Sequence, residues 1–143
     1  MCFDDDGTIL WRFNRENGGA FIDDCYAMNA TRDELWIYYY SDFSVCRVGM
    51  DFSQKAYSVH EIAGSHALVV SEAAILLSSQ YQEPSATFYL LRRIEDRLTM
   101  PRKLTAHLPD GRPFDAAKII GRGSTLNVLN EEGWFQACLS DLL

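Results

Sequence analysis

The sequence predicts a single all-β domain, and three observations carry that reading. The apolar runs are short and rich in Val, Ile, Tyr and Phe. Turn-forming clusters punctuate them at close spacing: "NRENGG", "TRDE", "SD", "EIAGS", "YQEPS", "LPDGRP", "GRGS" and "NEEG". A chain of 143 residues, 48% hydrophobic and 13% aromatic, is long and apolar enough to bury one core.

In order, strands are expected at 8–13, 25–30, 35–40, 43–48, 55–62, 66–71, 74–79, 87–93, 102–108, 117–121, 125–129 and 134–139. Each window favours β-branched or aromatic residues that fit a pleated, half-buried surface. Two windows are ambiguous. "SEAAILLSSQ" holds helix-favouring residues, and "WFQACLSDLL" places Phe135, Cys138, Leu139 and Leu142 at helical spacing; period alone does not assign runs this short. The aromatic stretch "LWIYYYSDFSVCRV" reads as a hairpin turning through Ser41 and Asp42. Alternation puts Trp36, Tyr38 and Tyr40 on one face and Leu35, Ile37 and Tyr39 on the other. Both faces are apolar, as expected of a sheet lying between two others.

The chain also resembles itself. A slide of 40 lays Ala27, Met28, Ala30, Thr31, Leu35, Trp36 and Ile37 over Ala67, Leu68, Val70, Ser71, Ile75, Leu76 and Leu77. A further slide of 50 lays Ala67, Val69, Val70 and Leu76 over Ala117, Ile119, Ile120 and Leu126. A four-stranded unit of this length resembles a β-propeller blade. The resemblance is to an architecture: no WD40 or kelch signature is present. It implies three four-stranded antiparallel blades, half a propeller, at 21–64, 65–114 and 115–143, the last completed by the N-terminal strand 8–13. The alternative is a β-sandwich whose amphipathic hairpins look alike.

Three blades are too few to close a ring and would leave an unpaired edge. The expected partner is therefore a second copy, joined head to tail as a homodimer through exchanged terminal strands, or a further N-terminal part of the same propeller.

Charge narrows the function. A net charge of −7 argues against nucleic acid as a partner. The basic cluster Arg92, Arg93, Arg97, Arg102 and Lys103 is broken by Glu95 and Asp96 and reads as solvated surface. No apolar run approaches the roughly 20 residues of a membrane span, so no membrane partner is expected. Cys2, Cys25, Cys46 and Cys138 form no CxxC, and the acidic start is unlike a signal peptide, so a cytoplasmic chain with reduced thiols is expected.

No motif calls for a cofactor or a metal. "DDDG" (residues 4–7) lacks the calcium-loop spacing, with Phe13 where the glutamate belongs, and reads as a charged turn. His60, His66 and His107 have no metal-ligand spacing. Ser65 and His66 lack a nucleophile elbow, and "GRGS" lacks phosphate-loop spacing. Asp23 and Asp24 make the best enzyme reading, an acid pair in a central funnel, weakened because strand neighbours face opposite ways.

The longer, more polar loops fall on one rim, where the last strand of one blade leads to the next and where second strands turn into third. Binding residues favour loops held by a rigid scaffold. Asp42, His60, Tyr81, His107, Asp110 and Arg112 are the candidate binding residues. The expected function is a non-enzymatic protein-interaction or scaffold module, with no catalytic residues assigned. The alternative is an enzyme processing sugars or small molecules, with acidic residues in a funnel formed on oligomerisation.

Overall fold

The structure, a computed structural model, describes residues 2–12, 24–112 and 114–143; the loop 14–20, Asp23 and Pro113 lie outside them. A short hairpin, β1 (Cys2–Phe3) and β2 (Ile9–Trp11), precedes three larger antiparallel sheets. Sheet I orders β3 (Cys25–Ala30), β4 (Glu34–Tyr39), β5 (Ser44–Gly49) and β6 (Gln54–Ser58) as a meander. Sheet II runs β7 (Leu68–Val70), β8 (Ala74–Ser78), β9 (Thr87–Ile94) and β11 (Arg102–Thr105), with β10 (Arg97–Leu98) folding back on the end of β9. Sheet III contains β12 (Lys118–Arg122), β13 (Thr125–Asn130) and β14 (Gly133–Cys138). The protein is all-β.

Several boundaries differ from expectation. "SEAAILLSSQ" forms β8, every residue of which is buried, because tertiary packing overrides helix propensity. The C-terminal window is strand β14 followed by a 3-10 turn at Leu139–Leu142. Among the described residues sheet III has three strands, without a fourth of its own, and β2 pairs with β1. The expected strands 55–62 and 66–71 shrink to β6 and β7 because the chain between them is tied by buried serines. Ser78, 3% exposed, accepts the His66 and Ala67 N–H groups at 3.0 Å each and bonds Ser65 at 3.1 Å.

Alternation along the strands decides what each face covers. In sheet II, Leu68, Val70, Ile75, Leu77, Tyr89 and Leu91 pack against Trp36, Tyr38, Val45 and Tyr57 of sheet I. Their neighbours Val69, Ala74, Leu76, Phe88 and Leu90 pack against Leu126 and Val128 of sheet III. Each fully buried side chain of this size contributes about 1.5–3 kcal/mol, so the sandwiched sheet anchors the core. The outer face of sheet I gathers Tyr39, Cys46 and Val48, with Trp11 of β2 against it; Trp11 stacks on Phe52 at 5.3 Å. The outer face of sheet III exposes Ile120, Leu129 and Trp134.

The first two repeats share one register. Met28 opposite Ile37 and Asn29 opposite Trp36 superpose on Leu68 opposite Leu77 and Val69 opposite Leu76 at an offset of 40. Thr31 and Ser71 make the same turn, each hydroxyl accepting the N–H three residues on, of Glu34 and Ala74. For the third repeat the matching offset is 51, which lays Leu68 opposite Leu77 over Ile119 opposite Val128. The offset of 50 is therefore one residue short. Since one residue reverses every side chain, it would turn the core residues Val128 and Ile119 toward the wrong face.

The three first strands meet at one end. Asn29 donates to Leu68 O at 2.7 Å and Gly123 O at 3.0 Å and accepts Gly123 N–H at 2.8 Å, so one amide ties three sheets. A Cβ on Gly121 would lie 1.8 Å from Leu68 O, which is why glycine stands there. At this end the inner strands touch one another instead of standing around a channel.

Candidate functional site

The rim between sheets I and II carries a cluster of aromatic side chains, and each has a local reason for being there. The register of β3 on β4 shifts between Cys25 and Ala27, a bulge that re-aims Tyr26. Tyr26 consequently packs against the same core as Ala27. Tyr40 and Phe43 bracket the turn from β4 to β5, where Phe43 N–H donates to Tyr40 O at 3.2 Å. Phe43 adopts φ +46°, a conformation that costs a bulky residue roughly 1–3 kcal/mol and persists where the surroundings dictate it. Here its ring lies against Tyr38 at 6.4 Å, Tyr40 at 5.4 Å and Tyr81 at 6.4 Å.

Tyr81 reaches the cluster from the loop between β8 and β9, its N–H bonded to Ala63 O at 3.1 Å. Its ring lies over Gly64, where a Cβ would stand 2.4 Å from ring carbon Cζ; Gly64 also has φ +80°. Two independent constraints, ring and backbone, thus demand glycine. Beneath the cluster Tyr38 is fully buried, donating to Ile62 O and accepting Gly64 N–H at 3.0 Å. Burial pushes the Tyr38 phenol up to about 12. The Tyr81 hydroxyl donates to that of Tyr26, and this hydrogen bond, with burial, raises Tyr26 to about 12. Tyr40 is 49% and Tyr81 46% exposed, so the rings form a surface without being loose on it.

The sequence-predicted residues divide between two places. Tyr81 belongs to this cluster, and Asp42 sits exposed in the turn between Tyr40 and Phe43. His60 lies exposed in the segment that leads to Gly64 and His66, its Nδ1 2.7 Å from Ser58 Oγ. His107, Asp110 and Arg112 lie on the other junction, between sheets II and III. His107 lines an apolar cavity of about 200 Å³ with Phe88, Phe114, Val128 and Phe135. Arg112 clamps Asp110 at 2.7 Å and Glu132 at 2.8 and 2.9 Å. The Arg112 N–H and guanidinium hold the Asp110 carboxyl below its usual range.

Sequence reasoning missed Tyr26, Tyr40, Phe43 and Gly64 as a group; the clustering of Tyr in "YYY" was the available signal. It also missed a cleft of about 940 Å³ on the opposite rim, where the turns holding Arg32, Glu72 and Ser124 converge with Cys138 and Arg93. There the Ser140 hydroxyl and N–H, with Ser124, hold the Cys138 thiol below its ordinary value.

Other expected features take structural forms. Asp4 of "DDDG" caps its own turn, accepting the Asp6 and Thr8 N–H groups at 3.1 and 2.7 Å. Ser65 is wholly buried, bonded to Ala67 O and Ser78. The basic cluster is largely spent on the fold: Arg92 and Arg102 bond the C-terminal carbonyls, Lys103 pairs with Glu83, and Arg93 bonds Ser71 O. Asp24 is exposed at the foot of β3, its carbonyl accepting Tyr40 N–H. No helix among the described residues is long and apolar enough to cross a membrane.

No curated protein and no solved structure matches the sequence. The model of one family, YxzG, matches residues 1–136, nearly the whole length. The chain belongs to the YxzG family.

Proposed function

We propose that the protein is a non-enzymatic protein-interaction module of β-propeller type whose partner docks on the aromatic rim between sheets I and II. The observation that carries this is the half-exposed cluster of Tyr26, Tyr40, Phe43 and Tyr81, held by Tyr38 and Gly64 beneath it. Tyrosines immobilised in this way offer large contact area at low entropic cost, the composition favoured at the centres of protein interfaces. The propeller reading draws on the common register of the first two repeats and on a middle sheet packed on both faces. The outer face of sheet III, which exposes Ile120, Leu129 and Trp134, would be covered by a second copy or by another part of the same propeller.

Site-specific photocrosslinking in the cells that make the protein tests the docking surface. A benzophenone amino acid at Tyr40 or Tyr81 should yield one dominant heterologous adduct, identifiable by mass spectrometry, that the same probe at Glu72 on the opposite rim does not. Equal yields from both rims, or none from Tyr40 and Tyr81, would remove the reading.

A further inference from the structure

Four of the rim rings form a closed circuit. Tyr26 and Tyr40 lie 5.8 Å apart, Tyr40 and Phe43 5.4 Å, Phe43 and Tyr81 6.4 Å, and Tyr81 and Tyr26 6.2 Å. Successive planes are inclined at 56°, 79°, 76° and 84°. Among the described residues the diagonal pairs, Tyr26 with Phe43 and Tyr40 with Tyr81, make no ring contact. Tyr38 lies below, 6.4 Å from both Tyr26 and Phe43. A cation seated among these rings would fall within the roughly 6 Å reach of a cation–π contact with several of them.

The carboxylates near the rings favour a positive occupant, although the exposed His66 ring also lies against two of them, 5.9 Å from Tyr26 and 6.3 Å from Tyr81. Asp42 sits in the turn between two of the walls, and the Asp24 carboxylate acts on Tyr26. The cation–π contacts among the described residues are Lys55 on Tyr57, Arg93 on Trp36 and Lys103 on Tyr89; none uses the circuit. The chain as a whole carries −7. We infer that the Tyr26–Tyr40–Phe43–Tyr81 circuit is a cation cage that receives an alkylammonium or guanidinium group, supplied by a Lys or Arg side chain of a basic partner protein. The identity of the supplier rests on the interaction reading above; the cage itself does not.

The cage is tested without a partner by NMR titration with choline and with its uncharged carbon isostere, dimethylbutanol. Saturable shifts confined to the ring signals of Tyr26, Tyr40, Phe43 and Tyr81 are expected with choline and not with the alcohol. Tyr40→Ala should weaken choline binding about tenfold, and Tyr40→Phe, which keeps the wall, should change it little. Tyr40 is half exposed, so both variants should fold. Equal response to both probes, or choline binding unchanged in Tyr40→Ala, would overturn the cage and leave the docking surface standing. Choline binding without any crosslinked partner would keep the cage and remove its proposed supplier.

Discussion

The two junctions of the molecule use one frame and end in different chemistry. Between sheets I and II the core sets Trp36, Tyr38, Tyr57 and Tyr89 among aliphatic side chains, with Trp36 stacked on Tyr57 at 5.8 Å, and its rim opens into the tyrosine circuit. Between sheets II and III the core is chiefly aliphatic, and its rim ends in the Arg112 clamp on Asp110 and Glu132. The clamp is exposed, so solvent screens it and it adds little to stability. Half-exposed rings held in place by their neighbours are better suited to binding than solvated charges that already satisfy one another. Strand order sets where the loops go, while individual loop side chains decide what a rim can do.

The largest effect should come from breaking what both junctions share. Asn29→Ala leaves Leu68 O and Gly123 N–H without their amide partner at a nearly buried hub. We expect a loss of about 2–4 kcal/mol, measured by urea unfolding, since each stranded polar group costs about 1–3 kcal/mol. A loss below 1 kcal/mol would mean that the three inner strands hold together without it.

A smaller effect should separate the two rims. Gly64 and Gly111 occupy similar backbone conformations, φ +80° and +83°, but Gly64 lies under Tyr81 while Gly111 faces open space. Gly111→Ala should cost only the left-handed backbone term, about 1–2 kcal/mol. Gly64→Ala should cost about 1–3 kcal/mol more, because the Tyr81 ring must move, and should disperse the ring signals of the circuit. Equal costs at both sites would show that the Tyr81 ring yields freely and that the circuit is not rigid.

These contrasts also mark how far the sequence could be read. The strands, their alternation and the offset of 40 were visible because Val, Ile and aromatic periodicity report burial directly, as at Trp36 and Leu76. The third repeat was misregistered by one residue because Ala117 matched Ala67 by type, whereas the register follows face, visible only once Ile119 is paired with Val128. Tyr81 was singled out from loop polarity, but the circuit depends on a bulge at Tyr26 and a left-handed Phe43, neither of which leaves a local sequence mark. Loop length placed Tyr81 and Arg112 on candidate rims; it could not tell a rim of packed rings from a rim of paired charges.

The smallest effect is predicted at the ionic rim and depends on pH. The folded Asp110 carboxyl lies below its unfolded value, so its contribution is present above the unfolded value and is lost as pH falls through the folded one. Asp110 is exposed, so the stability change should be slight, and the clearer readout is its titration followed by NMR. Arg112→Ala should move the Asp110 midpoint up toward about 3.9, the ordinary aspartate value, while leaving the signals of Tyr26 and Tyr81 in place. A midpoint that does not move would assign the depression to the turn's own N–H groups. Movement of the tyrosine signals would show that the two rims communicate through sheet II, and the division of labour between them would then fail.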